Sequence, residues 1–189
     1  MHLVVAPAVS YVFLDTQNRA ARRMEVASES VPDDAKLGRR DLILVNPTDS
    51  VYLTTSIFTM RWADGRSAPR RLRVLSHGST DVRVARVDEA VLLVEPVEGL
   101  FPDPFSRYHR SKERPFEIGD VVDLGDLRIE ILEVAADGGG PSSMRYDFVE
   151  PLEADRYLWM VWNGNRYEEW TPPAVGDEVV LPSRPGIFE

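Results

Sequence analysis

The sequence predicts an α+β fold, mostly antiparallel β hairpins with one β-α-β unit near the N-terminal side. Three stretches carry that expectation. Residues 115–134, PFEIGDVVDLGDLRIEILEV, read as strand, tight turn, strand, with Gly125-Asp126 at the turn. Leu127, Ile129 and Ile131 alternate there with Arg128 and Glu130, the period-2 pattern of a half-buried strand. Residues 41–46, DLILVN, are consecutive large aliphatics between polar ends, the pattern of a strand covered on both faces. The run Trp162-Asn163-Gly164-Asn165-Arg166-Tyr167 is a hairpin signal, because Asn-Gly accepts the positive φ of a type I′ turn.

Taken in order, the chain opens with MHLVVAPAVSYVFL, residues 1–14, nearly all apolar. This is shorter than the roughly 20 residues that span a bilayer. It lacks the basic start of a signal peptide, and Pro7 interrupts a helix. It reads either as an arm tucked against the domain or as the tail of a membrane segment. Ala20, Met24 and Ala27 give a short, weak helix over residues 16–30. Pro32, Asp33, Asp34 and Gly38 mark residues 31–40 as linker. The expected division is therefore an apolar arm or membrane-segment remnant plus linker over 1–40, and a single β-rich globular domain over 41–189.

Within that domain Pro47 stops the first strand, and Asp49 or Ser50 caps a helix over residues 51–62. Val51, Phe58 and Trp62 form one stripe of that helix, and Leu53, Ile57 and Met60 the opposite one. A helix apolar on two sides is expected to be sandwiched. The alternation of Arg71, Leu72, Arg73 and Val74 is a strand over 71–76, which completes a β-α-β unit with parallel strands. Residues 82–87 and 91–95 pair across Asp88-Glu89. A proline-rich, then basic, loop over 101–114 leads into the 115–134 hairpin. There Leu132 and Val134 fall on the parity opposite to Ile131, so that strand is either buried on both faces or bulged near Ile131. Residues 137–143, DGGGPSS, form a turn, and strands follow over 144–148 and 157–162. Val175-Gly176-Asp177 repeats the Gly-Asp entry into a last strand. The expected core comprises residues 42–45, Leu72, Val74, Val82, Val84, Leu92, Val94, Val122, Leu124, Leu127, Ile129, Ile131, Phe148, Leu158, Met160, Val179 and Leu181.

Composition narrows the function classes. The chain of 189 residues is 43% apolar and has no cysteine. That is enough for one packed core, and it rules out disulfide frameworks, thiolate zinc sites and cysteine nucleophiles. The net charge of −9 is unevenly placed: seven arginines face only Asp64 and Asp81 over residues 61–86, and the acidic excess lies beyond residue 87. An acidic C-terminal portion disfavours nucleic acid as a partner. The arginine island has two readings, internal pairing with the acidic portion or contact with phosphate or an anionic membrane surface, and charge runs of this kind favour the internal one.

Motifs for chemistry are sparse. His2, His77 and His109 have no partners at metal-ligand spacing. Asp120, Asp123 and Asp126 alternate in parity on a strand and cannot all face one ion. Gly138-Gly139-Gly140 lacks the Lys and Ser/Thr of a phosphate loop. No metal or cofactor is therefore expected. The aromatic group Tyr157, Trp159, Trp162, Tyr167 and Trp170 is split between strand faces, which favours packing over a stacking platform. A hydrolase reading rests on Asn46, Asp49, Ser76 and His77, at the carboxyl ends of strands 41–46 and 71–76, where ligands gather in α/β sheets. The chain has no G-x-S-x-G elbow.

LVNPTD, PRRLRVLSHG, the 115–134 hairpin and the terminal TPPAVGDEVVLP occur in that order over nearly the whole chain. This order resembles the C-terminal, extramembrane part of uncharacterised bacterial multi-pass membrane proteins, and HLVVAP is similar to the end of their last hydrophobic segment. The resemblance implies membrane association and no particular chemistry. The expected role is a non-catalytic soluble domain of a membrane-associated protein, with a protein-interaction or structural task. Its partner would be another protein or the membrane part of the same protein. Arg19, Arg22 and Arg23 follow the apolar start and favour the cytoplasmic face; a soluble cytoplasmic protein is the other localisation. The hydrolase is the alternative function.

Overall fold

The computed structural model describes residues 17–47, 51–102, 115–136 and 140–184. Two helices, α1 over residues 17–30 and α2 over Val51–Ala63, accompany ten strands. These are β1 Asp41–Leu44, β2 Arg71–Val74, β3 Val82–Asp88, β4 Val91–Pro96, β5 Val121–Asp123, β6 Leu127–Val134, β7 Pro141–Phe148, β8 Tyr157–Trp162, β9 Tyr167–Glu169 and β10 Glu178–Leu181. They form two sheets. The smaller has the order β2-β1-β8-β9, and the larger has the order β10-β3-β4-β7-β6-β5. The fold is α+β and mostly antiparallel, and β1-α2-β2 is the expected β-α-β unit with β1 and β2 parallel.

Side-chain parity on β1 explains the layering. Ile43 and Val45 point to a core shared by both sheets, with Val84, Leu92, Val94, Met144, Tyr146 and Trp159. Leu42 and Leu44 point the other way, to Ala27, Val31, Leu37, Ile57 and Met160. The helices, the small sheet and the large sheet are thus three stacked layers. β1 is central and parallel to both neighbours, so all four of its residues are buried. Its unbroken DLIL run is what such a position requires. β8 divides in the same manner: Tyr157 and Trp159 join the inter-sheet core, and Leu158, Met160 and Trp162 join the helix side. Trp159 meets Phe148, Tyr157 and Trp170 at ring-centroid distances of 5.3, 5.9 and 6.0 Å. The aromatic group is a packing device.

The bulge expected near Ile131 is present, as register shifts on either side of Glu133 where β6 meets β7. Several finer expectations are corrected. The turn after β8 is not type I′, since among the described residues no residue other than glycine has positive φ. Asn163 instead accepts hydrogen bonds at Oδ1 from the backbone N–H of Asn165 and Arg166, and Gly164 alone takes a positive φ of 105°. This side-chain-closed turn spans four residues and leaves Trp162 opposite Tyr167. β7 starts at Pro141, three residues before the expected strand, because pairing with β6 continues to Val134 opposite Pro141. Val74, Val122 and Leu124, expected in the core, are exposed. The two apolar stripes of α2 are not both covered either: Ile57 on one is buried, but Trp62 on the other is 82% exposed.

Residues assigned from sequence to an arm and linker join the packing. Ala27, Val31 and Leu37 are buried with β1 and α2, and a short 3₁₀ turn, Leu37–Arg39, leads into β1. Arg61 of α2 fixes this segment. Its side chain is fully buried, and all five of its N–H groups have acceptors. Nε donates to the Ser67 carbonyl, Nη1 to the carbonyls of Ser28 and Val31, and Nη2 to the Pro32 carbonyl and to Asp33 Oδ1. Three of those carbonyls are at the end of α1, where a helix leaves its last C=O groups without intrahelical donors. Burial pulls the guanidinium pKa below its ordinary value, yet arginine keeps its charge. Arg61→Met would strand those buried carbonyls, and a loss of about 3 kcal/mol is expected in urea unfolding. A loss below about 0.5 kcal/mol would show that α1 does not depend on this anchor.

Candidate functional site

Three of the four residues chosen from sequence, Asn46, Ser76 and His77, lie among the described residues. Asn46 and Ser76 do meet, because parallel pairing of β1 and β2 places their carboxyl ends side by side. Both are buried. The Ser76 hydroxyl donates to the Val45 carbonyl at 2.6 Å and lies 3.5 Å from Asn46 Oδ1. Asn46 Nδ2 donates to the Pro182 carbonyl at 2.8 Å. The tail after β10 continues across the same corner, with Ser183 N–H on Asp81 Oδ1 and Arg184 N–H on the Gly78 carbonyl. Backbone partners hold Ser76 and Asn46, and the tail covers them. His77 Nδ1 pairs with Ser79 Oγ at 2.8 Å in the adjoining turn. The Ser76 hydroxyl therefore spends its proton on a carbonyl and not on an imidazole. Asp49 lies outside the described residues. An open recess beside the helices is lined by Asn18, Arg19, Ala21, Arg22, Glu25 and Met60, and not by Asn46, Ser76 or His77. Among the described residues no group of three or more His, Asp or Glu is placed to hold a metal.

The arginine island is internally paired. Each of its seven members has an acidic partner: Arg61 and Arg66 on Asp33, Arg70 on Asp41, Arg71 and Arg73 on Asp126, Arg83 on Glu95 and Glu178, Arg86 on Glu153. The densest part is in the seam between the sheets. Register places Arg71 and Arg73 beside Asp41 and Ile43, so both face the larger sheet, and both reach Asp126 in its β5–β6 turn. Arg156, just before β8, bridges Asp126 and Asp41, donating to Asp41 Oδ2 at 2.9 Å. Arg70 grips Asp41 through both carboxylate oxygens at 2.9 and 2.8 Å. Burial alone would raise the pKa of Asp41, but hydrogen bonds from Arg70 and Arg156 outweigh it and hold the carboxyl below its ordinary value.

An exposed apolar edge is the other feature of note. Among the described residues β5 ends the larger sheet and pairs with β6 alone. Ile118, Val121, Val122 and Leu124 on and beside it are 72, 46, 45 and 41% exposed. Opposite residues in an antiparallel pair alternate between exchanging hydrogen bonds and turning away. Leu124 bonds to Leu127 and Asp120 to Ile131, so Val122 is the bonded partner of Ile129. The N–H and C=O of Val121 and Asp123 then face away from β6, toward the free edge. Sequence parity places residues 121–124 in a strand, but it assigns Val122 and Leu124 to the core. The missed signal is that the VVDL run is apolar on both parities and has a β partner on one side alone.

The depressed pKa of Asp41 sets a sign for acid stability. Its contribution is fully present above its unfolded value, about 3.9, and is lost as pH falls through the lower folded value. Glu153, held down by its hydrogen bond from Arg86, acts in the same direction. Urea midpoints are expected to fall as pH drops below about 4. Asp41→Asn is expected to be less stable at neutral pH, with the gap from wild type narrowing in acid. A gap that does not change with pH would remove Asp41 as a source of acid sensitivity.

No protein-family model, curated protein or solved structure matches this chain.

Proposed function

We propose that this chain is a non-catalytic interaction domain that works beside a membrane. The observation that carries the reading is the exposed apolar edge of β5: the strand is short and acidic, as edges often are, yet Ile118, Val121, Val122 and Leu124 beside it are left uncovered, and natural sheets often cover such an edge. The corner where a hydrolase would act supports it from the other side: Ser76 and Asn46 are consumed by backbone contacts there. The membrane context comes from the apolar residues 1–14 and from the resemblance to extramembrane regions of bacterial membrane proteins. Among the described residues no helix is long and apolar enough to cross a membrane, so attachment is assigned to residues 1–14. Trp62, exposed on the helix layer, is of the residue type that settles at membrane interfaces. Since the arginine island is neutralised internally, attachment should owe little to anionic lipid. Arg19, Arg22 and Arg23 favour the cytoplasmic face.

Flotation of the full chain with neutral phosphatidylcholine vesicles tests the membrane part. Binding is expected to survive high salt and to drop by about tenfold in Val4→Asp/Val12→Asp, since each change places a charge in the apolar segment. A full chain that stays in the pellet fraction would overturn it. Turnover of activated esters tests the non-catalytic part. A rate above background that Ser76→Ala abolishes, with the melting temperature unchanged, would restore the hydrolase at Asn46, Asp49, Ser76 and His77.

A further inference from the structure

The β5 edge has a polarity and a charge that select what can dock on it. Residues 117–133 carry six carboxylates, Glu117, Asp120, Asp123, Asp126, Glu130 and Glu133, against the single cation Arg128. Asp126 is neutralised by Arg71, Arg73 and Arg156, and Arg128 by Glu130 and Asp147. Glu117, Asp123 and Glu133 remain exposed, with no described cation paired to them. Asp123 also gives one oxygen to the Gly125 N–H at 2.7 Å, which fixes the carboxylate at the edge without cancelling its charge. Apolar side chains line both faces: Val121 is opposite Glu130 on the solvent face, while Val122 is opposite Ile129, on the face that continues the inter-sheet core.

The other edges are protected. β9 carries Glu168 and Glu169 and is followed by Pro172 and Pro173, and β10 is headed by Glu178 and closed by Pro182. Arg71 and Arg73 of β2 are committed to the seam. From Ile118 to Leu124 the β5 edge has neither Lys, Arg nor Pro; its only defences against pairing are its shortness and the carboxylates of Asp120 and Asp123.

Resting on the interaction reading above, the geometry points to strand addition at β5 by an extended partner segment in which apolar residues alternate with Lys or Arg. The outward N–H and C=O of Val121 and Asp123 supply the ladder. Val122 and Leu124 take apolar side chains on the core face, and Glu117, Asp123 and Glu133 select cations. A second copy of this chain fits poorly, because pairing β5 with β5 sets Asp123 and its neighbouring carboxylates against their own kind.

The test uses the full chain and a fluorescent synthetic peptide of about ten residues with alternating Lys and Val, read by anisotropy. A second peptide replaces every Lys by Glu. A third is N-methylated along one edge, so that it cannot donate to the sheet. Val121→Pro is the informative variant: the Val121 N–H faces away from β6, so proline there removes the outward donor and spares the β5–β6 ladder. Saturable binding of the Lys peptide is expected, weakened at high salt. Binding should fall by about tenfold or more for the Glu peptide, for the N-methylated peptide and for Val121→Pro at unchanged melting temperature. Val122→Lys/Leu124→Lys provides a second variant that leaves the backbone alone, and it should weaken binding similarly. Equal binding by the N-methylated peptide, or by both variants, would overturn strand addition. Tighter binding of the Glu peptide would overturn the charge assignment. Concentration-dependent dimerisation abolished by Val121→Pro would give the edge to a second copy and so overturn the partner chemistry. Absence of peptide binding sinks this inference and leaves the interaction domain standing, since that reading falls on Ser76-dependent turnover.

Discussion

Two carboxylates in the seam between the sheets, Asp41 and Asp126, hold four guanidinium groups in place. Arg71 and Arg73 occupy the inward positions of an edge strand, where apolar side chains would ordinarily close a sandwich. Without Asp126 they would confront each other and Arg156 as like charges in a half-dry space. Asp126 takes all three, and Arg156 passes the connection to Asp41, which Arg70 completes. An ion network of this kind is weak evidence for stability relative to an apolar seam, although removing one shared acid leaves several part-buried arginines facing one another unpaired. Its effect here is alignment. It ties the β5–β6 turn of one sheet to β2 and β8 of the other, at a side of the sandwich where the hydrophobic core thins out. The β5 strand is thereby presented as a fixed edge beside a closed seam.

The same network explains the charge asymmetry of the chain. A cluster of seven arginines followed by a long acidic portion looks, in one dimension, like a basic patch with an acidic tail. In three dimensions the arginines are spread over α2, the loop after it, β2 and β3, and the acids that meet them come from other turns and strands, from Asp33 and Asp41 upstream to Glu178 downstream. Arg61 is the extreme case. In sequence it is one more member of the island, and in the fold it closes the end of α1 from inside the helix layer.

Sequence periodicity made the fold class, the β-α-β unit, every hairpin and the β6 bulge legible, because each is a local signal: aliphatic runs, period-2 alternation, Gly-Asp turns. It failed where the answer depends on what lies across a space. Val74, Val122 and Leu124 alternate as core residues do, but they sit at sheet margins with no layer opposite. Trp62 belongs to an apolar stripe of α2 that no described residue covers. Ala27 falls on the short helix expected over 16–30, and Val31 and Leu37 fall on the expected linker because Pro32, Asp33 and Gly38 interrupt the pattern there, yet Arg61 supplies the donors that let such an irregular segment be buried. The candidate site fared likewise. Proximity of Asn46 and Ser76 follows from parallel pairing and could be read from β1 and β2, whereas the capture of Asn46 by a backbone carbonyl depends on a tail more than a hundred residues downstream.

An edge strand that stays apolar in a chain otherwise rich in charge calls for a physical reason. Shortness is one defence that β5 does have, since three residues offer few ladder bonds to an accidental partner. Its carboxylates are a second, acting against copies of the chain itself. Together they make the edge selective: backbone pairing alone is too brief to hold a partner, and apolar contact alone would admit any hydrophobic strand. A segment that satisfies the outward N–H and C=O groups, the valine and leucine faces and the exposed acids at once meets all three demands. The seam network keeps those groups in register by fixing the turn that follows β5. The arginines that neutralise Asp126 thus act twice, closing the sandwich and leaving Asp123 as the nearer uncompensated acid of the edge.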